Sequence, residues 1–184
     1  IENFRNKVVV DYGCGGGSFL DLVKGVASKT IGVEPFKGYH NSLTSRGHEV
    51  YSSIKKINSQ CFGSIDIIVS FGVIEHTKNP VEYLKGAYKL LKKGGKIYIE
   101  TDNVNDFLMK MKIIEFERFF YRTAHYWYFD DMTLKRSLEI AGFKNINVGF
   151  RHGYDLSNAL LWLRDRKPSG NSKIKNISTH CNLS

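Results

Sequence analysis

The stretch that decides the fold is Lys7-Val-Val-Val-Asp-Tyr-Gly-Cys-Gly-Gly-Gly-Ser18. Lys7–Asp11 is a short continuous apolar run, the pattern of a strand buried on both faces of a parallel sheet. Gly13, Gly15, Gly16 and Gly17 follow at once. Glycine lets the backbone turn sharply and approach a ligand with no Cβ in the way. Ser18 and Asp21 have the spacing of a capping box that opens a helix. Phe19, Leu22, Val23 and Val26 then recur at helical spacing, so the unit reads as strand, glycine turn, helix.

Working outward, Thr30–Glu34 reads as a second strand closed by Pro35, and residues 38–46 as a short helix. His48–Tyr51 is a third strand and Asp66–Phe71 a fourth. Asn79 and Pro80 open the clearest helix as cap and first helical residue, and Lys92, Lys93, Gly94 and Gly95 end it. Its expected buried stripe is Val81, Leu84, Tyr88 and Leu91. Lys96–Glu100 is a fifth strand, Asp131–Ala141 a helix stopped by Gly142, and Ile146–Val148 a sixth strand. Leu156–Leu163 reads equally as helix or strand. Strand and helix alternate, which predicts an α/β fold: a Rossmann-like, doubly wound, mostly parallel sheet with helices on both faces. Residues 1–150 form the expected domain, and 151–184 a basic extension. An aromatic-rich insertion at 102–129 is long for a loop, which marks it as an acceptor site or lid.

The 184 residues suffice for one domain. They are 42% hydrophobic and 24% charged, with a net charge of +9. No run is long enough to span a bilayer. The first residues have neither an initiating Met nor a signal core, so the chain reads as a trimmed domain. Cys14, Cys61 and Cys181 lack metal-site or disulfide spacing, which suits a reducing cytoplasm. The basic surface suits an acidic or phosphate-bearing small molecule. No basic run is dense enough to mark a nucleic-acid site.

The loop selects its ligand by charge. A dinucleotide loop of the form G-x-G-x-x-G would place its third Gly at 18, where Ser stands. Asp11, two residues before Gly13, would repel a pyrophosphate. S-adenosylmethionine carries a sulfonium and an ammonium and no phosphate, so a carboxylate beside the loop favours it. Glu34, at the end of the second strand, is placed to accept from two ribose hydroxyls. Pro35 and Phe36 are placed to pack on adenine. The expected cofactor residues are therefore Asp11, Gly13, Cys14, Gly15, Gly17, Glu34, Pro35 and Phe36, with Ser70 and Phe71 at the end of the fourth strand.

Three blocks resemble consecutive blocks of class I S-adenosylmethionine-dependent methyltransferases. They are Asp11–Gly17, Asp66-Ile-Ile-Val-Ser-Phe-Gly-Val-Ile-Glu-His76, and Leu90-Leu-Lys-Lys-Gly-Gly-Lys-Ile-Tyr-Ile-Glu100. A fourth, His125-Tyr-Trp-Tyr-Phe129 with Leu134 and Ala141-Gly-Phe143, is similar to the branch holding ubiquinone-pathway O-methyltransferases and many enzymes of bacterial surface-polysaccharide clusters. The resemblance implies a seven-stranded sheet and S-adenosylmethionine as cofactor. It also implies an acid after the third strand, which Tyr51-Ser-Ser-Ile-Lys-Lys lacks. In the ubiquinone-pathway relatives two Glu and a His surround a metal in the block matching Gly72–His76. Gly72 stands in place of the first acid, so no metal is expected.

Methyl transfer from a sulfonium is an in-line displacement, in which the protein aligns the reactants and excludes water. An oxygen acceptor also loses a proton, work suited to His. His76 and His125 are the candidates, with His152 a third. Phe119, Phe120, Tyr121, Tyr126, Trp127 and Tyr128 are the expected acceptor wall. Arg118, Arg122 and Arg151 are candidates for binding an acidic acceptor. The function expected is methyl transfer to a small-molecule or glycan acceptor at oxygen. The alternatives are a nicotinamide-dependent oxidoreductase on the same fold and a non-catalytic scaffold.

Overall fold

The computed structural model of the chain describes residues 1–57, 61–151 and 156–167. In chain order the elements are β1 Val8–Tyr12, α1 Ser18–Val23, β2 Lys29–Val33, α2 His40–Ser45, β3 Glu49–Tyr51, β4 Ile65–Phe71, α3 Pro80–Leu90 and β5 Leu91–Glu100. They continue with α4 Phe107–Lys110, α5 Ile114–Phe120, α6 Asp131–Ala141 and α7 Leu156–Asp165. The described residues fall into two compact units: 1–57, 61–103 and 124–147 in one, and 104–123, 148–151 and 156–167 in the other.

The larger unit is built on a five-stranded sheet of order β3-β2-β1-β4-β5, and every pairing is parallel. The chain starts in the middle, winds outward to β3, then crosses back to β4. That reversal leaves a crevice at the carboxyl ends of β1 and β4, where open α/β sheets bind ligands. On one face Val10, Ile31, Val33 and Ile68 pack on Ala87 and Leu90 of α3. On the other, α1 lies so close that a Cβ at Gly32 would sit 2.7 Å from Cys14 Sγ and 3.1 Å from Leu20 Cδ1. Leu20, Leu43 and Cys14 cluster there. A further layer forms where α6 packs on α3, burying Ile74, Tyr83, Leu84, Phe129, Leu138 and Ala141. The doubly wound α/β architecture expected from strand–helix alternation is the one observed.

Local differences have local causes. The capping box at Ser18 does not form: Gly17, at φ 84°, occupies the cap position, so Ser18 is already helical. Asp21 turns instead to His48 and Arg46. In α1 the buried residues are Leu20 and Val23, while Leu22 is exposed. In α3 they are Pro80, Tyr83, Leu84, Ala87 and Leu90. The buried arc is therefore rotated from the expected one, because α3 faces both the sheet and α6. The Lys92–Gly95 segment does not end the helix, which closes at Leu90. It bulges out of β5 between the pairings Ile65–Leu91 and Ile67–Lys96. Residues 146–148 form no strand. After Gly142 stops α6 at φ 104°, Phe143 and Ile146 fold onto the α3–α6 layer, which uses their apolar side chains without a ladder.

The smaller unit holds α4, α5 and α7, so residues 156–163 are helical. The rings of Phe116 and Phe119 lie 5.1 Å and 5.3 Å from that of Trp162. No helix among the described residues is long and apolar enough to cross a membrane.

Asn79 caps α3 as expected, its side chain accepting from the Glu82 N–H at 3.1 Å with Pro80 first in the helix. Replacing Asn79 with Ala leaves that donor to water. The expected outcome is a loss of about 1 kcal/mol of stability, read as a lower urea midpoint at unchanged slope.

Candidate functional site

The glycine turn and the end of β2 are hydrogen-bonded into one structure. Gly13 N–H donates to Val33 O at 2.8 Å. The Glu34 carboxylate accepts from Gly15 N–H through Oε2 at 2.9 Å and from Phe36 N–H through Oε1 at 2.7 Å. His40 Nε2–H donates to the Glu34 carbonyl at 2.7 Å. A carboxylate has about four lone-pair sites, so Glu34 retains acceptor capacity for a ligand. Around the turn, a Cβ at Gly13 would collide with Val73 at 2.4 Å, and one at Gly17 with Leu43 at 2.3 Å. At Gly15 and Gly16 a Cβ would meet nothing within 4 Å. The turn is thus packed at its ends and open in its middle, the form of a backbone cradle.

Asp11 lies beneath the turn, 5% exposed. Burial, with the Glu34 charge adding, pushes its pKa up to about 7. A positively charged ligand would relieve both effects. The Cys14 thiol is pushed up to about 12 by burial and by the Asp11 and Glu34 charges. It therefore stays protonated at neutral pH and is no nucleophile.

Sequence reasoning missed the brace on the turn's far side. Arg46 Nη2 donates to Gly16 O at 2.5 Å, and its Nη1 pairs with Asp21. Asp21 also accepts from His48 Nε2 at 2.9 Å, and Thr30 Oγ1 bonds the His48 Nδ1 at 2.8 Å. These residues sit on α1, α2 and β2 or just past their ends, and no sequence spacing marks them as a group.

The other expected cofactor residues are less uniform. Pro35 and Phe36 are exposed beside Glu34, and the Phe36 ring meets that of Tyr39 edge-on at 5.3 Å. Phe71 is half exposed, its ring edge-on to Phe19 at 5.7 Å. Ser70 is fully buried, and its hydroxyl bonds Tyr83 Oη at 2.6 Å. Its side chain is committed to the interior and presents no surface to a donor.

Past β4 the two histidine candidates come together. Ile74–His76 is a single helical turn, and residues 124–127 are strapped onto it. Tyr126 and Trp127 N–H groups donate to Glu75 O at 2.8 Å and 3.3 Å. His76 Nδ1 bonds Ala124 O at 2.9 Å. A carbonyl only accepts, so that nitrogen carries the proton and His76 Nε2 keeps its lone pair. The His76 and His125 rings meet edge-on at 4.6 Å. Glu75 is 4% exposed and accepts from Thr101 Oγ1 at 2.8 Å. Sequence reasoning placed Glu75 in a family block but did not connect it with His125, which lies 50 residues on.

The expected acceptor wall is divided between the units. Tyr126 and Trp127 are exposed beside the His76–His125 pair. Phe119, Phe120, Tyr121, Arg118, Arg122 and Arg151 belong to the smaller unit, where the Arg122 guanidinium lies 5.4 Å from the Phe119 ring centre. His152, Cys181 and residues 168–184 of the basic extension lie outside the described residues.

A methyltransferase-domain family model matches residues 2–148. The chain belongs to that family. It is 27% identical to a ubiquinone biosynthesis O-methyltransferase of Ruegeria sp. (strain TM1040), over 86% of this chain and 67% of that protein. It is also 27% identical to a tRNA U34 carboxymethyltransferase of Helicobacter acinonychis, over 54% of this chain and 42% of that protein. Among solved structures it superposes on a SAM-dependent methyltransferase from Archaeoglobus fulgidus with a TM-score of 0.61 at 25% identity, covering 78% of this chain and 64% of that one. The chain spans about half the length of several curated relatives it matches. Membership makes S-adenosylmethionine the cofactor and methyl transfer the class of chemistry, and the loop's charge preference agrees.

The state of Asp11 sets a pH dependence. Its raised pKa means that the buried acid is neutral below about 7. Its contribution to stability is full below the ordinary carboxylate value and is lost as pH rises through about 7. A cationic ligand favours the ionised form, so binding below that pH releases a proton. The expected outcome is an affinity for S-adenosylmethionine that rises about tenfold between pH 6 and 8. Calorimetry checks it, and Asp11→Asn flattens the profile.

Proposed function

We propose that this chain is the donor-binding domain of an enzyme that transfers a methyl group from S-adenosylmethionine to a hydroxyl of a small molecule. The observation that carries the reading is the position of His76. It follows the carboxyl end of β4, beside the β1–β4 crevice, with Nδ1–H held by Ala124 O and Nε2 free to accept a proton. The acidic Asp11 and the open turn at Gly15 and Gly16 suit the donor. Glu34 holds the ribose through its remaining lone pairs, and Phe36 covers the adenine. The relative named for ubiquinone biosynthesis supports an oxygen acceptor. A sugar hydroxyl, as in surface-polysaccharide synthesis, fits the same chemistry.

In this reading Asp11, the Gly13–Gly17 turn and Glu34 would hold S-adenosylmethionine, which would supply an activated methyl group. His76 Nε2 would take the proton of the acceptor hydroxyl, whose oxygen would receive the methyl group and so release the donor as a neutral thioether. Tyr126 and Trp127, exposed beside His76, offer a flat surface for the acceptor. Free Cys14 and Cys61 support a reducing compartment such as the cytoplasm.

A tRNA acceptor is the second reading, favoured by the +9 net charge and by the relatives named as tRNA-modifying enzymes. Phosphate contacts weaken steeply with salt, whereas a small phenol or sugar binds with little salt dependence.

The test is methyl transfer from labelled donor to a panel of phenolic and sugar hydroxyls and bulk tRNA. The expected outcome is turnover on a hydroxyl acceptor that falls ~10²–10⁴-fold in His76→Gln with donor affinity retained. Glu34→Ala and Gly15→Asp weaken the donor instead. Turnover on tRNA alone would replace the first reading by the second. Protection by NADH and not by S-adenosylhomocysteine would overturn both.

A further inference from the structure

The turn after β1 is held from outside by side chains that methyl transfer itself does not use. Gly15, Gly16 and Gly17 have backbones free to adopt many conformations. A loop that must be ordered on binding loses affinity. One peptide group of this turn is tied at both ends. Gly17 N–H donates to Cys14 O at 2.8 Å, and the Gly16 carbonyl accepts from Arg46 Nη2 at 2.5 Å. The N–H and C=O of a planar trans peptide point in opposite directions, so the two bonds together fix how the Gly16–Gly17 plane is turned. Packing at Gly16 does not do so, since a Cβ there would meet nothing within 4 Å.

Arg46 reaches Gly16 because its guanidinium is itself aimed. Its Nη1 pairs with Asp21, and its Nε donates to Ser42 O at 3.2 Å. The donors of Arg form a rigid planar fork, so fixing two of them fixes the third. Asp21 is aimed in turn by His48. The His48 contact, with Arg46 adding, holds the Asp21 carboxyl below the ordinary carboxylate range. An ionised carboxylate only accepts, so His48 Nε2 carries a proton and donates to Asp21 at 2.9 Å. In the neutral ring Nδ1 then accepts from the Thr30 hydroxyl at 2.8 Å. The His48 side chain has no exposed surface, so it touches no ligand.

We propose that Arg46 is a positioning residue for the methyl donor, and that Thr30, His48 and Asp21 act through it to set donor affinity by holding the Gly16–Gly17 peptide in its binding orientation. The proposal rests on the reading that the donor lies at this turn. Thr30 is in β2, Asp21 in α1, and His48 just before β3, so the relay ties the turn to the body of the sheet. Glu34 fixes the turn at Gly15 N–H; Arg46 fixes it one residue on, at Gly16 O. The Arg46 and Asp21 side chains are 33% and 40% exposed, and ion pairs that exposed add little to stability. Their effect therefore falls on the turn and not on the fold. Lys in place of Arg46 would bring a single ammonium with no fork to span Gly16 O and Asp21.

The test is the affinity of folded variants for S-adenosylhomocysteine by calorimetry, with thermal unfolding and the amide NMR signals of Gly16 and Gly17 followed in parallel. Arg46→Ala is expected to weaken binding about tenfold and to move both amide signals, with little change in Tm. Arg46→Lys falls between it and the wild type. His48→Ala weakens binding less, and His48→Gln, which keeps an N–H for Asp21, recovers part of the loss. In an Arg46→Ala background His48→Ala adds nothing, because residues acting through one contact are not additive. Asn79→Ala, which lowers stability away from the turn, leaves affinity unchanged. If Arg46→Ala does not fold, Arg46→Lys decides in the same way. Unchanged affinity in folded Arg46→Ala while Glu34→Ala weakens binding would overturn the proposal and leave the donor reading standing. Unchanged affinity in both would overturn the two together. A His48→Ala loss that adds fully to that of Arg46→Ala would overturn the relay.

Discussion

The carboxylate of Glu34 is the contact on which the site depends. By accepting from Gly15 and Phe36 N–H groups it joins the turn after β1 to the end of β2. Each bond is charge-assisted, and so about twice as strong as a neutral one. The glycines of the turn carry no side chains, and within it Gly17 N–H donates to Cys14 O at 2.8 Å. Arg46 supplies the opposing hold through Gly16 O and Asp21. Between these anchors the backbone at Gly15 and Gly16 stays open. Asp11 beneath it carries an uncomfortable burial that a cation resolves. The turn is packed at its ends and open in its middle, which suits it to take a ligand.

The parts of this fold that were legible in the sequence are those governed by neighbours along the chain. Val8–Tyr12, the glycines after it, Asn79–Pro80 and Gly142 were each readable because strand burial, turn conformation and capping are local. The failures are tertiary. Whether Ser18 caps α1 depends on where the glycine turn stops, and Gly17 takes that place. Which arc of α3 is buried depends on α6 arriving 40 residues later. Ile146 has strand-like neighbours, yet an apolar layer already waits for it beside Phe143.

The site follows the same division. Asp11, Glu34 and the glycines announced themselves by charge and spacing. The Arg46–Asp21–His48–Thr30 brace did not, since its members serve other elements and meet only in space. Ser70 stood in the right block, but alternation along β4 turns its side chain inward to Tyr83. His76 and His125 were visible as separate candidates. Their meeting, and the part of Glu75 in it, came from the backbone bonds that strap 124–127 onto 74–76.

The central claim is that the donor lies across the β1–β4 crevice, over the open turn and against Glu34. Backbone amide NMR of the protein titrated with S-adenosylhomocysteine tests it most directly. The account predicts saturable shifts concentrated at Gly13–Gly17, Glu34–Phe36 and Phe71–Val73, with β3 and α6 unmoved. Shifts absent from the turn, or centred on another surface, would contradict it.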